Sequence, residues 1–115
     1  MANQNPLTAD ILELLPPLYS KANVPHQEKI AQVKFIRTPE NKIWYGVEYN
    51  PDTRTFWGYI VDSARGDFGF FILDDILRGQ CGRGPKAKLD ETFRPTRIGD
   101  IIIDLKNAKP NSLNT

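Results

Sequence analysis

Cysteine and histidine are almost missing: Cys81 and His26 are the only ones in 115 residues. A lone cysteine closes no intrachain disulfide and builds no cysteine-based zinc site, which excludes a disulfide-stapled secreted scaffold and points to a reducing, cytoplasmic setting. Long apolar runs are missing too. Phe70 to Leu73 and Ile101 to Ile103 are the longest, against the roughly 20 residues needed to cross a bilayer, so no membrane-spanning helix is expected. Met1 to Pro6 has neither the basic start nor the apolar stretch of a secretory signal, and none is expected. Neither sign of charge is in excess: 15 basic and 14 acidic side chains leave a net charge of +1, so the totals mark no preference for polyanions or for acidic partners. The length suits one domain with one core and leaves no room for a separate cofactor-binding half.

What is present reads as short elements separated by turns. Thr8 suits a helix N-cap, Asp10 suits the first turn, and Leu7 can staple onto Leu12, which predicts a helix over Ala9 to Leu15 that Pro16 and Pro17 stop. Leu7, Ile11, Leu15 and Leu18 form its apolar stripe. Tyr19 to Lys29 reads as a connecting loop. Alternating apolar residues then predict strands over Ile30 to Arg37, Ile43 to Tyr49 and Thr55 to Val61, with turns at Thr38 to Lys42 and Asn50 to Thr53. Asp62 to Asp67 reads as a loop, Phe68 to Ile72 as a fourth strand, and Leu73 to Arg78, with Asp74 and Asp75 in its first turn, as a second helix. Gln80 to Lys88 is a Gly-rich basic loop, and Leu89 to Arg94 fits a fifth strand. Ile98, Ile101, Ile102 and Leu105 sit at helical spacing, while Ile101, Ile103 and Leu105 also fit a strand; the helical reading is taken.

The predicted fold class is therefore α+β: a single small domain over residues 7–107, with flexible tails at 1–6 and 108–115. Its expected architecture is an antiparallel meander sheet of four or five strands with two or three short helices on one side. No internal repeat or interdomain linker is visible.

The order of several short segments resembles a known family. Leu15, Pro16, Pro17, Leu18 and Tyr19 after the leading helix, then Glu28, Lys29, Ile30 and Ala31 entering a strand, look like the start of the bacterial family called domain of unknown function 2958. Trp44 and Tyr45 with Glu48 and Tyr49, Phe56 to Gly58, Gly69 to Phe71, Arg78 and Gly79, and Phe93 to Thr96 continue the likeness, which covers about Leu7 to Ile98. One position departs from the pattern, because Ile72 stands where the family tends to place a serine cap. The family is similar to many small proteins of plasmids, conjugative elements and phages, so the resemblance implies an accessory role on mobile DNA. It implies no catalytic residue.

Convergent chemistry is sparse in the chain itself. His26 has no metal-ligating or nucleophilic neighbour in sequence and reads as a surface histidine. Cys81 lies near Arg78 and Arg83, surroundings that lower a thiol pKa, yet it reads as an incidental loop thiol. Gly79 and Gly84 have the separation of a phosphate-binding loop, but Pro85 occupies the lysine position and no strand precedes the loop. Asp74/Asp75 and Asp90/Glu91 fit helix and turn positions better than an acid and base pair. No catalytic set, metal site or cofactor is expected.

Placement of charge and aromatics carries more. Arg78, Arg83, Lys86, Lys88, Arg94 and Arg97 face only Asp90 and Glu91 along their segment, whereas seven acidic residues stand between Glu40 and Asp75 against Lys42, Arg54 and Arg65. Nine of the twelve aromatics lie between Trp44 and Phe71, more than one sheet face needs for its core. With Tyr45, Tyr49, Phe56 and Phe70 turned inward, Trp44, Trp57 and Tyr59 face outward as a partner-binding stripe rimmed by Arg83, Lys86 and Lys88; with helices on that face, the stripe is simply core. The expectation is a non-catalytic interaction protein that binds a protein partner or self-associates through this stripe. The alternative is nucleic-acid binding through the basic residues from Arg78 to Arg97.

Overall fold

The computed structural model describes residues 7–38, 42–62, 65–78 and 86–113, with side chains as far as residue 107. Its centre is a five-stranded antiparallel sheet in the order β5-β4-β3-β2-β6. Strands β2 (Val33–Arg37), β3 (Lys42–Asn50), β4 (Thr55–Asp62) and β5 (Arg65–Ile72) form a meander, and the two-residue β6 (Lys88–Leu89) returns beside β2. This is the expected α+β class. Gln32 interrupts the predicted first strand: β1 (Ile30–Ala31) leaves the sheet and pairs with β7 (Thr96–Arg97) as a separate two-stranded clasp. The predicted fifth strand shrinks to Lys88 and Leu89 because the Asp90 side chain takes the Thr92 amide and hydroxyl and turns the chain away.

Three helices pack on the sheet. Helix α1 (Ala9–Leu14) is capped by Thr8, whose hydroxyl accepts the Ile11 amide at 3.3 Å, and it ends one residue before the proline pair expected to stop it. Leu7 goes into the core instead of stapling onto Leu12, which is left exposed. Helix α2 (Leu73–Arg78) lies where the sequence puts it, and α3 (Ile98–Leu113) confirms the helical reading of the isoleucine cluster. Helix α3 continues beyond residue 107 as far as Leu113.

Both faces of the sheet are covered, which corrects the expectation of helices on one side. On the first face Phe35, Trp44, Tyr49, Phe56 and Phe71 pack with Leu7 and with Leu73 and Ile76 of α2, and Ile11 and Leu15 close the margin. Phe56 is its hub, with ring centroids 4.5 Å from Tyr49, 5.0 Å from Phe71 and 5.8 Å from Phe35. Gly46 makes room for that ring, because a Cβ there would lie 2.6 Å from it. On the second face Tyr45, Val47, Tyr59 and Val61 meet Ala31 and Ile98 and Ile101 of α3.

One irregularity decides which residue faces which way. The β3 to β4 register slips between Gly46 and Glu48, so Gly46 opposes Gly58 while Glu48 opposes Trp57. Val47 is the extra residue of a β-bulge, and strict alternation fails across it. Tyr49 therefore joins Trp44 on the first face, and Glu48 is turned inward on the second.

Candidate functional site

The residues expected to form an exposed aromatic stripe do not form one. Trp44 is only 4% exposed and belongs to the first face, where Arg37 and Lys42 cover its ring at 5.2 and 5.3 Å. Tyr59, 7% exposed, belongs to the second face against Phe68, and burial, reinforced by Asp67, pushes its phenol pKa up. Trp57 is half-buried, stacked on Phe68 at 5.4 Å and met edge-on by His26 at 5.0 Å. The physical reason is that helices cover both faces and the bulge shifts the parity, so Trp44 lies on the opposite side of the sheet from Trp57 and Tyr59.

Two members of the basic set are held in ion pairs. Arg78 pairs with Asp75 at 3.3 Å, and Arg97 holds Glu28 and Asp100, each at 2.9 Å. The Asp100 hydrogen bond and charge, with Glu28, push the Arg97 pKa further up. Lys86, Lys88 and Arg94 are exposed with no ion pair recorded among the described residues. Arg83 and Cys81 lie outside the described residues, as does the Gly79 to Gly84 spacing. Among the described residues no group of three His, Cys, Asp or Glu side chains has the placement to hold a metal ion, and no helix is long and apolar enough to cross a membrane.

Two other features emerge in place of the stripe. The first is an apolar patch at the sheet edge. Tyr19 is 69% exposed and Phe70, expected inside, is 50% exposed, and their rings meet edge-on at 6.2 Å. Phe70 opposes Trp57 on β4, and Ile72, also exposed, follows two residues later on the same face of β5. Among the described residues β5 is an edge strand of eight residues whose far side pairs with no other strand. Its stretch from Phe68 to Ile72 has no charge to repel an incoming strand.

The second feature is a buried ion pair that holds the patch in place. Glu48 lies on the second face beside Trp57 and is 2% exposed. Its carboxylate accepts the Tyr19 amide at 2.7 Å on Oε1 and the Lys21 amide at 3.1 Å on Oε2. Tyr19 adopts the left-handed backbone region, φ 71°, which a residue with a Cβ enters only at a cost, and the Glu48 hydrogen bond fixes it there. Lys29, 5% exposed, places Nζ 3.9 Å from Glu48 Oε2 and 4.4 Å above the Trp57 ring. Sequence reading singled out none of Tyr19, Lys29, Glu48 and Phe70 as a site. The one available signal was Glu48 itself, a charge within an aromatic strand that must be paired if it is buried.

The arrangement sets an exposed strand edge with aromatic side chains beside a buried charge pair. Compared with known proteins, the chain matches no family model, no curated protein and no solved structure.

Proposed function

We propose that this protein is a non-catalytic interaction module that receives an extended segment of a protein partner along β5, by strand addition. The observation that carries the reading is the coincidence of a long unpaired strand edge with the exposed Tyr19, Phe70 and Ile72 side chains. Alternate residues of an edge strand turn their N–H and C=O outward, so eight residues offer about four such pairs to an incoming strand. The aromatic rings would then supply the desolvated anchors that interface cores favour. Pairing with a second copy of the chain is the self-associating form of the same reading.

The resemblance to the family of plasmid, conjugative-element and phage proteins supports an accessory role on mobile DNA. The single cysteine supports a cytoplasmic setting.

The test substitutes Phe70→Lys, which puts a charge on the edge without touching the buried faces. Association is followed by light scattering of the purified protein over a range of concentrations and by pull-down from host lysate. The variant is expected to lose the association while its melting temperature falls by no more than about 8 °C. Association undiminished in Phe70→Lys, or none for the native chain in either assay, refutes the reading.

A further inference from the structure

The edge of β5 that no strand covers among the described residues is complementary to itself. A two-fold axis normal to the sheet would set β5 antiparallel to β5 of a second copy, with one residue opposing its own copy. Centring on Phe68 opposes residues 65–71, centring on Gly69 opposes 66–72, and any other centre opposes fewer. With Phe68 central, the exposed Phe70 meets only Gly66, and Arg65 is set against the buried Phe71. With Gly69 central, Phe70 opposes Phe68, and Ile72 opposes Gly66, over which the Tyr59 phenol lies. Phe70 and Ile72 are the exposed apolar side chains of the strand, and both then gain a partner on the second face. Aromatic pairs directly opposed across strands stabilise a sheet. On the first face nothing stands within 4 Å of a Cβ built at Gly69, so the two backbones can approach there. The charges favour the same register. Arg65, with no ion pair recorded among the described residues, comes level with Leu73 of the second copy, where Asp74 and Asp75 open α2. Asp67 opposes Phe71, so no like charges meet.

We propose that β5 of one copy pairs with β5 of a second, antiparallel and with Gly69 opposite Gly69, joining the two five-stranded sheets into one. The pairing rests on the strand addition proposed above and makes a second copy the incoming segment. A two-fold contact uses both β5 edges, and the opposite edge, β6, offers only Lys88 and Leu89, so assembly stops at two copies. One eight-residue strand makes a small interface, and the pair therefore forms and separates with concentration.

The experiment moves the single thiol. In the Cys81→Ser, Gly69→Cys double variant the two sulfurs face each other, because directly opposed residues lie about 4.5–5.5 Å apart at Cα, within disulfide range. In Cys81→Ser, Asp67→Cys the two thiols stand four positions apart along the strands, about 14 Å, too far to join. Diamide oxidation and non-reducing electrophoresis are expected to show a covalent dimer from the first variant and none from the second. By light scattering the native chain should rise with concentration from the monomer mass to the dimer mass and no further, while Phe70→Lys stays monomeric. Equal cross-linking of the two variants, none in either, or growth past two copies overturns the pairing. If the Gly69→Cys variant does not melt as the native chain does, the masses decide: a native chain that stays monomeric, or a Phe70→Lys chain that dimerises equally, overturns it. A monomeric native chain that still captures host protein, and loses it in Phe70→Lys, leaves strand addition standing, so the two readings fail separately.

Discussion

Replacing Glu48 by glutamine should loosen the whole segment from Pro16 to Lys29, and by an amount the geometry sets. The Lys29 to Glu48 separation of 3.9 Å corresponds to about 4 kcal/mol of attraction at an effective dielectric of about 20. Glutamine keeps one acceptor, enough for the Tyr19 amide, but turns an NH2 toward the Lys21 amide and the Lys29 ammonium, so a hydrogen bond is also lost. A buried cation left without its partner costs about 3–5 kcal/mol, and that is the destabilisation expected for Glu48→Gln. Lys29→Met is milder, about 1–3 kcal/mol, because the remaining carboxylate keeps two amide donors and the loss is the charge and the contact with Trp57. The double variant buries no charge and should cost about as much as Lys29→Met alone, well below the sum of the singles. Urea unfolding gives the three free energies, and amide exchange at Tyr19 and Lys21 reports the local loosening. Additive effects within about 0.5 kcal/mol would refute the coupling argued from the geometry.

Three further outcomes follow from the packing. Phe56→Ala removes a fully buried ring that touches three others and should cost about 3–5 kcal/mol, whereas Phe70→Ala, half-exposed, should cost about 1 kcal/mol or less; equal shifts on thermal melting would place the hub elsewhere. Gly58→Ala would drive a methyl into the Tyr45 carbonyl and should destabilise by more than about 2 kcal/mol, while Gly69→Ala meets open space and should be neutral or slightly stabilising in the same denaturant assay. Burial holds the Tyr45, Tyr49 and Tyr59 phenols above their ordinary pKa. The folded state then keeps those protons to higher pH than the unfolded state does, so this contribution to stability is complete below about pH 10 and falls as pH rises beyond it. Unfolding free energies that rise between pH 9 and 11, roughly the window of phenol ionisation, would contradict the assignment.

Much of the fold was legible because local signals agreed with tertiary ones. The Thr8 cap, the Asn50 to Arg54 turn and the acidic first turn of α2 each sit at the predicted end of an element. In that turn Asn50 Oδ1 accepts the Asp52 amide at 2.9 Å, the bond by which such a side chain mimics a backbone turn. Where the reading failed, the cause was nonlocal. Arg65, Gly66 and Asp67 have poor strand propensity and look like loop, yet they pair with Asp62, Val61 and Ile60 and extend β5. The extra residue at Val47 shifts alternation by one, an event that periodicity analysis along a single strand cannot register. The same slip misplaced the candidate site, since it turned Glu48 inward and put Trp44 and Trp57 on opposite faces. The Lys29 to Glu48 pair was invisible for a different reason: the partners lie on separate elements, and only the folded sheet brings them together.

The clasp between β1 and β7 bears on the order in which the molecule assembles. Strands β2 to β5 follow one another through short turns and can zip up from neighbouring hairpins. The clasp joins positions as distant as Glu28 and Arg97, 69 residues apart, and closing a loop of that length costs about 4 kcal/mol of chain entropy before any contact repays it. It is thus a late event in folding. Until residues 96–105 have been synthesised and have docked, Tyr45, Val47, Tyr59 and Val61 lie bare on one side of a sheet whose other side is already closed. On a ribosome adding about 5–20 residues per second, the nascent chain carries that oily surface for a second or more, and this interval is its time of greatest exposure to chaperones.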